Sequence, residues 1–161
     1  MKKFTKSETK AIVIIFLILF SITGFNMRIS IRRGRDNTRK NDLSVLQKGL
    51  DIFASKYHMF PPSIDGKIAG CFGPDTDFDK LTGKPFNLIV CEWGIDSFEN
   101  IKTLPRDPSY QKGINYLYLS DTDKYQIYVS LEGKDEAEYS EDMVNKNLHC
   151  GTKICNYGRE Y

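Results

Sequence analysis

The sequence is poor in the residues that build most active sites. In 161 residues there are two histidines, His58 and His149, and one tryptophan, Trp93. Neither histidine forms a triad with any serine that stands out, and no nucleophile, base and orienting group come together, so no enzyme is expected. There is no Cys-x-x-Cys pair. That removes the usual spacing of a zinc site and leaves His149-Cys150 with Cys155 as a weak remnant of one. Strand-like and helix-like segments do not alternate, which excludes a parallel α/β sheet. No cofactor is expected.

Charge of one sign is also missing from most of the chain. The formal net charge is +2, but Lys2, Lys3, Lys6, Lys10 and the 28–40 segment carry the basic excess. From Asn41 onward 13 basic residues face 19 acidic ones. A nucleic-acid surface needs clustered Lys and Arg, so none is expected on this acidic body.

One long apolar run is present, Ala11–Phe25, interrupted only by Ser21, Thr23 and Gly24. As a helix it would rise about 22 Å, short of a ~30 Å hydrocarbon core unless Lys10 snorkels or the bilayer thins. A cleaved secretory signal has this length and a basic start, but no small-x-small cleavage motif follows. The run is therefore read as a retained membrane anchor. Both flanks are basic, so the positive-inside rule does not orient it.

Beyond the anchor, Leu43, Leu46, Leu50, Phe53 and Tyr57 recur at 3-4-3-4 spacing, one apolar stripe on a helix that Pro61-Pro62 must stop. The stripe is too short for a free coiled coil, so the stem should pack on its own domain. Anchor and stem read as one helix from near Lys10 to near Tyr57, about 70 Å long. Residues 63–100 are rich in loop formers. Ile114–Ser120 and Lys124–Leu131 then make a β-hairpin signal around Ser-Asp-Thr-Asp, followed by a polar tail. The layout is α+β: a basic cytoplasmic leader over 1–10, a transmembrane anchor over 11–27, a stem helix over 28–60 and an extracytoplasmic globular domain over 61–161.

Four cysteines lie beyond the anchor and allow three pairings. Cys71–Cys91 with Cys150–Cys155 is favoured; reduced thiols facing the cytosol are the alternative. The first bridge would close about 20 residues, worth about 3 kcal/mol, and disulfides imply an oxidising, extracytoplasmic face. Asp75-x-Asp77-x-Asp79 opens like a calcium loop, but Lys80 and Phe86 stand where such a loop needs Gly and Glu, so a solvated acidic loop is expected. Trp93, beside Cys91, is read as packing, with ligand stacking as the alternative. Arg28, Arg32, Arg33, Arg35, Arg39 and Lys40 are expected to hold anionic lipid headgroups or a partner, at about 1 kcal/mol per basic residue.

Three stretches then resemble type IV pilin-like proteins, closest to the major pseudopilins of type II secretion systems. Phe4-Thr5-Lys6-Ser7-Glu8 is similar to the family's Phe-Thr-Leu-Ile-Glu start. The Arg-rich stem ending in Phe60-Pro61 is similar to the family's stem. LPRDPSYQKGINYLYLSDTDKYQIYVS is similar to its Leu-Pro-x-Asp-Pro loop and Tyr-rich hairpin. The resemblance covers roughly residues 1–62 and 104–131. It implies a pilin-like fold and leader cleavage between Lys3 and Phe4 by a prepilin peptidase, with N-methylation of the new terminus. It also implies a filament, a pilus or a secretion pseudopilus, built with other copies and other pilin-like subunits. In that filament Phe4 and Glu8 would carry assembly, the glutamate neutralising a neighbour's amine. The chain departs from the family at Lys3, where the peptidase needs glycine, and at Lys6 and Lys10, where apolar residues belong. The alternative is therefore an unprocessed, monomeric, membrane-anchored binding module with the same fold. Family members also bind calcium after the hairpin. Here that segment offers Glu132, Asp135 and Glu136 without the family's Gly-Ala-Asp-Gly pattern.

Overall fold

The computed structural model describes residues 6–161. It opens with α1, Lys6–Tyr57, an unbroken 52-residue helix that extends about 78 Å at 1.5 Å per residue. Its periodic stripe is the reason the second half packs. Leu43, Leu46, Leu50 and Phe53 are wholly buried and Tyr57 nearly so. The helix ends at Tyr57, where the apolar stripe predicts it, three residues short of the end of the 28–60 stem segment. His58 takes a left-handed backbone (φ 54°) and its N–H donates to the Ala54 carbonyl at 2.8 Å, which closes the last turn. That early stop turns Phe60 inward, where its ring meets Tyr125 at 4.8 Å.

Two short antiparallel ribbons occupy the loop-rich segment. They are β1 (Ser63–Ile64) with β2 (Lys67–Ile68), and β3 (Asp77–Phe78) with β4 (Pro85–Phe86). A disulfide joins Cys71 to Cys91 beneath them, and Cys71 also exchanges backbone hydrogen bonds with Ile89. The main sheet has three antiparallel strands in the order β5 (Leu117–Ser120), β6 (Tyr125–Val129) and β9 (Tyr157–Glu160). Between β6 and β9 lie a five-residue helix, α2 (Glu141–Asn145), and a small ribbon, β7 (His149–Cys150) with β8 (Lys153–Ile154), which Cys150–Cys155 staples.

The hairpin forms with shorter arms than expected. Ile114 bridges Gly151 and the Asn115 N–H donates to the Cys150 carbonyl, so the first arm leaves the hairpin at its start. At the far end the Asn156 side chain both accepts from the Leu131 N–H and donates to its carbonyl, ending β6. The tail is not merely polar: β9 is the sheet's third strand. Gly158 admits it, because a Cβ there would lie 2.1 Å from the Tyr128 ring of the neighbouring strand.

Strand alternation sends Tyr125, Ile127 and Val129 to the face covered by α1, and Tyr128 to the opposite face, against the Cys150–Cys155 bridge. Gly49 sets the approach of α1 to the Phe98–Ile101 turn, since a Cβ on it would fall 2.7 Å from Ile101 Cδ1. A long N-terminal apolar helix packed by its second half on small antiparallel sheets is a pilin-like arrangement, and the fold class is α+β.

Gly34 and Gly49 make a paired test of this packing. No heavy atom lies within 4 Å of a Cβ built on Gly34. Gly34→Ala should raise stability by up to about 1 kcal/mol, the helix-propensity gain. Gly49→Ala should lower it by about 1–3 kcal/mol through overpacking. Urea unfolding of the full chain in detergent measures both.

Candidate functional site

The N-terminal half of α1 is apolar and bare. Val13 through Leu19 are about half exposed or more, Phe20 is 80 % exposed and Phe25 67 %. No described residue covers this segment, and α1 is long and apolar enough to cross a membrane. Its two hydroxyls are satisfied within the helix: Ser21 donates to the Leu17 carbonyl and Thr23 to that of Leu19, each at 2.8 Å. That internal pairing lets polar residues sit in an apolar span at little cost. Glu8 lies in the first turn and is exposed. Lys3 and Phe4, the expected cleavage pair, lie outside the described residues.

One turn beyond the anchor the helix changes character. Arg39 is completely buried, and all five of its N–H donors have acceptors. Nε and Nη2 make a bidentate pair with Asp107 at 2.7 and 2.9 Å. Nη1 reaches Asp36 at 2.8 Å and Glu132 at 3.0 Å, and Nη2 also meets Ser109 at 3.4 Å. The acceptors are tied in turn. Asp36 receives the backbone N–H groups of Glu132 and Gly133, and Asp107 receives that of Ser109. One guanidinium therefore clasps α1 to both the Leu104–Ser109 loop and the segment after β6.

The clasp continues on the same side of the helix. Arg35 forms a second bidentate pair with Glu132. Arg32 holds Asp135 at 2.6 Å, and Lys40 holds Glu136 and Glu138 at 2.9 and 3.1 Å. The electrostatics follow from the geometry. Hydrogen bonds from Arg35 and Arg39 pull the Glu132 carboxyl down to about 2, and Arg32 does the same for Asp135. Burial pushes Arg39 down, but its bonds to Asp107, Glu132 and Asp36 outweigh this and hold it above its ordinary value. Nearby, burial raises the Asp42 carboxyl despite the hydrogen bond that Tyr116 donates to it.

These contacts bear on two expectations. The basic cluster is not a free lipid-binding patch: Arg32, Arg35, Arg39 and Lys40 are turned onto the chain's own acids. Arg28 makes no ion pair among the described residues, and Arg33 has only a long 3.5 Å contact with Asp135. Likewise Glu132, Asp135 and Glu136 are cation partners of α1 rather than a vacant ligand set. No group of three or more His, Cys, Asp or Glu placed to hold a metal occurs among the described residues. Asp79 caps its own turn, accepting from Leu81 and Thr82. Trp93 packs edge-on against Tyr116 at 5.9 Å, and His58 and His149 are exposed. The clasp could have been found by reading the basic 28–40 segment and the acidic 132–142 segment as complements.

Comparison with protein-family models, with curated proteins and with solved structures finds no match.

Arg39→Met should destabilise the domain by about 3–5 kcal/mol in urea, because it leaves Asp36 and Asp107 buried without a counter-charge. The clasp should also fail in acid. The folded-state values of Glu132 and Asp135, about 2, lie below the unfolded ones, so their stabilisation is complete above about pH 4.5 and is lost as the pH falls towards 2. In Glu132→Gln the slope of stability against pH in that window should become shallower, as urea midpoints taken across the range would show.

Proposed function

We propose that this chain is a single-pass membrane-anchored structural subunit that assembles through its N-terminal helix into a pilus-like or pseudopilus-like filament. The observation that carries this reading is the bare apolar half of α1, continuous with a stem that is fastened rigidly to a folded domain. Exposed apolar surface on every side of a helix needs either lipid or other helices around it. A subunit with both options can wait in the bilayer and then enter a helical bundle.

The pilin-like arrangement and the Phe-x-x-x-Glu start support the same reading. Within a bundle, Glu8 would be costly unless it neutralised a neighbour's N-terminal amine. The two disulfides favour an oxidising, extracytoplasmic location for the globular domain. In this reading the membrane lies at the apolar half of α1, and the clasp holds the domain close above it.

Lys10 favours a second reading, in which the anchor is retained whole and the chain stays a monomeric tethered module. A lysine at the head of the apolar run suits a membrane surface better than the inside of a helix bundle.

Two measurements separate these readings. Mass spectrometry of the N-terminal peptide from native membranes should find N-methylated Phe4 for a processed filament subunit, and Met1 or Lys2 for a tethered module. Copies carrying Leu17→Cys should crosslink through the anchor. All four native cysteines are in disulfides, so the introduced thiol is the only free one. Adding Glu8→Gln should cut the crosslinked yield several-fold in a filament and leave it unchanged in a tethered module.

A further inference from the structure

Beside the loop that supplies Asp107 to the clasp, a cleft of about 520 Å³ opens between the β1–β2 turn, the segment after Cys91 and the β7–β8 ribbon. Its volume lies within the range of small-molecule sites. Trp93, the only tryptophan in the chain, forms part of its wall, with one edge fixed against Tyr116.

The cleft holds an arginine that, unlike every other arginine of the described residues except Arg28 on the exposed part of α1, has no polar partner. Arg106 lays its stem across Gly94, where a Cβ would fall 2.5 Å from Arg106 Cδ, and Gly94 keeps a left-handed backbone (φ 77°). The guanidinium stacks over the Tyr110 ring, with Cζ 3.8 Å from the ring centroid. Arg32, Arg33, Arg35 and Arg39 are all ion-paired, and Arg159 donates to Gln47. Arg106 has no hydrogen bond and no ion pair among the described residues. Stacking occupies one face of its plane and leaves the edge donors free, the geometry that takes a carboxylate in bidentate fashion.

The rest of the wall narrows the ligand. Asp65 and the Lys67–Glu92 pair line the same cleft, with Lys67 Nζ 2.6 and 2.8 Å from the two Glu92 oxygens. Carboxylates there would repel a compact multiply charged anion such as phosphate, yet they accept hydrogen bonds from hydroxyl groups. Asn115 and His149 add amide and imidazole groups that can donate or accept. A half-buried tryptophan on the wall, an unpaired guanidinium and mixed acceptors together suit a polyhydroxylated ring with one carboxylate.

We infer that this cleft binds an acidic sugar of the uronate class, with Arg106 on the carboxylate and Trp93 against the ring face. The inference is independent of whether the chain forms filaments.

Trp93 is its own reporter. Full-length protein in detergent micelles is titrated with galacturonate, with the neutral sugar galactose, and with inorganic phosphate, while tryptophan emission is followed. Galacturonate should give a saturable change and the other two should not. Arg106→Gln should weaken galacturonate binding by about tenfold or more. Arg106→Lys, which keeps the charge and stem but loses the planar fork, should weaken it as well. Urea midpoints of both variants should match the parent. No saturable response to galacturonate, an equal response to galactose or phosphate, or unchanged affinity in both variants would overturn the assignment.

Discussion

The structure depends on one buried cation. Arg39 sits at zero exposure between α1 and two loops that reach it from 68 and 93 residues further along the chain. A guanidinium in that position is stable only when every donor is matched and the charge is balanced. Every donor of Arg39 is matched and its charge is more than balanced, because two guanidiniums, Arg39 and Arg35, face three carboxylates, Asp36, Asp107 and Glu132. The specificity comes from directionality. An apolar patch at this place could slide along the helix, whereas a bidentate pair with Asp107 sets a single register between helix and loop.

That register has a mechanical consequence. The apolar stripe from Leu43 to Tyr57 holds the upper helix to the sheet, and the clasp holds the helix again near its emergence from the anchor. Two separated attachments on a continuous helix transmit orientation, so the domain cannot swivel freely about the anchor. Four of the six basic residues that sequence reading assigned to lipid or a partner, Arg32, Arg35, Arg39 and Lys40, make this second attachment.

What was legible in the sequence was what is local. The 3-4-3-4 stripe of Leu43, Leu46, Leu50, Phe53 and Tyr57 placed the buried face of α1 correctly, because helical periodicity depends only on near neighbours. The Tyr-rich hairpin was legible for the same reason. Strand β9 was not: four residues containing Gly158 carry almost no alternation, and the strand exists because Tyr128 can lie across that glycine. Nor was the role of Arg39, whose partners are far away in the chain. A run of arginines reads the same whether it faces lipid, water or its own acids. Trp93 and Arg106 stand thirteen positions apart and meet at one cleft because the chain turns back between them, the Gly94 N–H donating to the Leu104 carbonyl and the Leu104 N–H to that of Asp96.

The two classes of restraint divide the domain between them. Covalent bridges hold the segments with little core of their own: Cys71–Cys91 beneath the long loop, and Cys150–Cys155 behind the sheet, where only Tyr128 and a few half-buried apolar residues pack. Charge holds the base of the domain, where the chain returns to the helix close to the anchor and no disulfide is present. The restraints fail under different conditions. Reduction loosens the loop and the back of the sheet and leaves the ions in place, whereas acid releases the base of the domain from α1 and leaves the bridges intact. Because the clasp is what couples the domain to the anchor, the coupling responds to acid while the folded cap does not have to. An assembly built through the anchor would therefore lose the fixed orientation of its subunit heads before it lost the heads themselves.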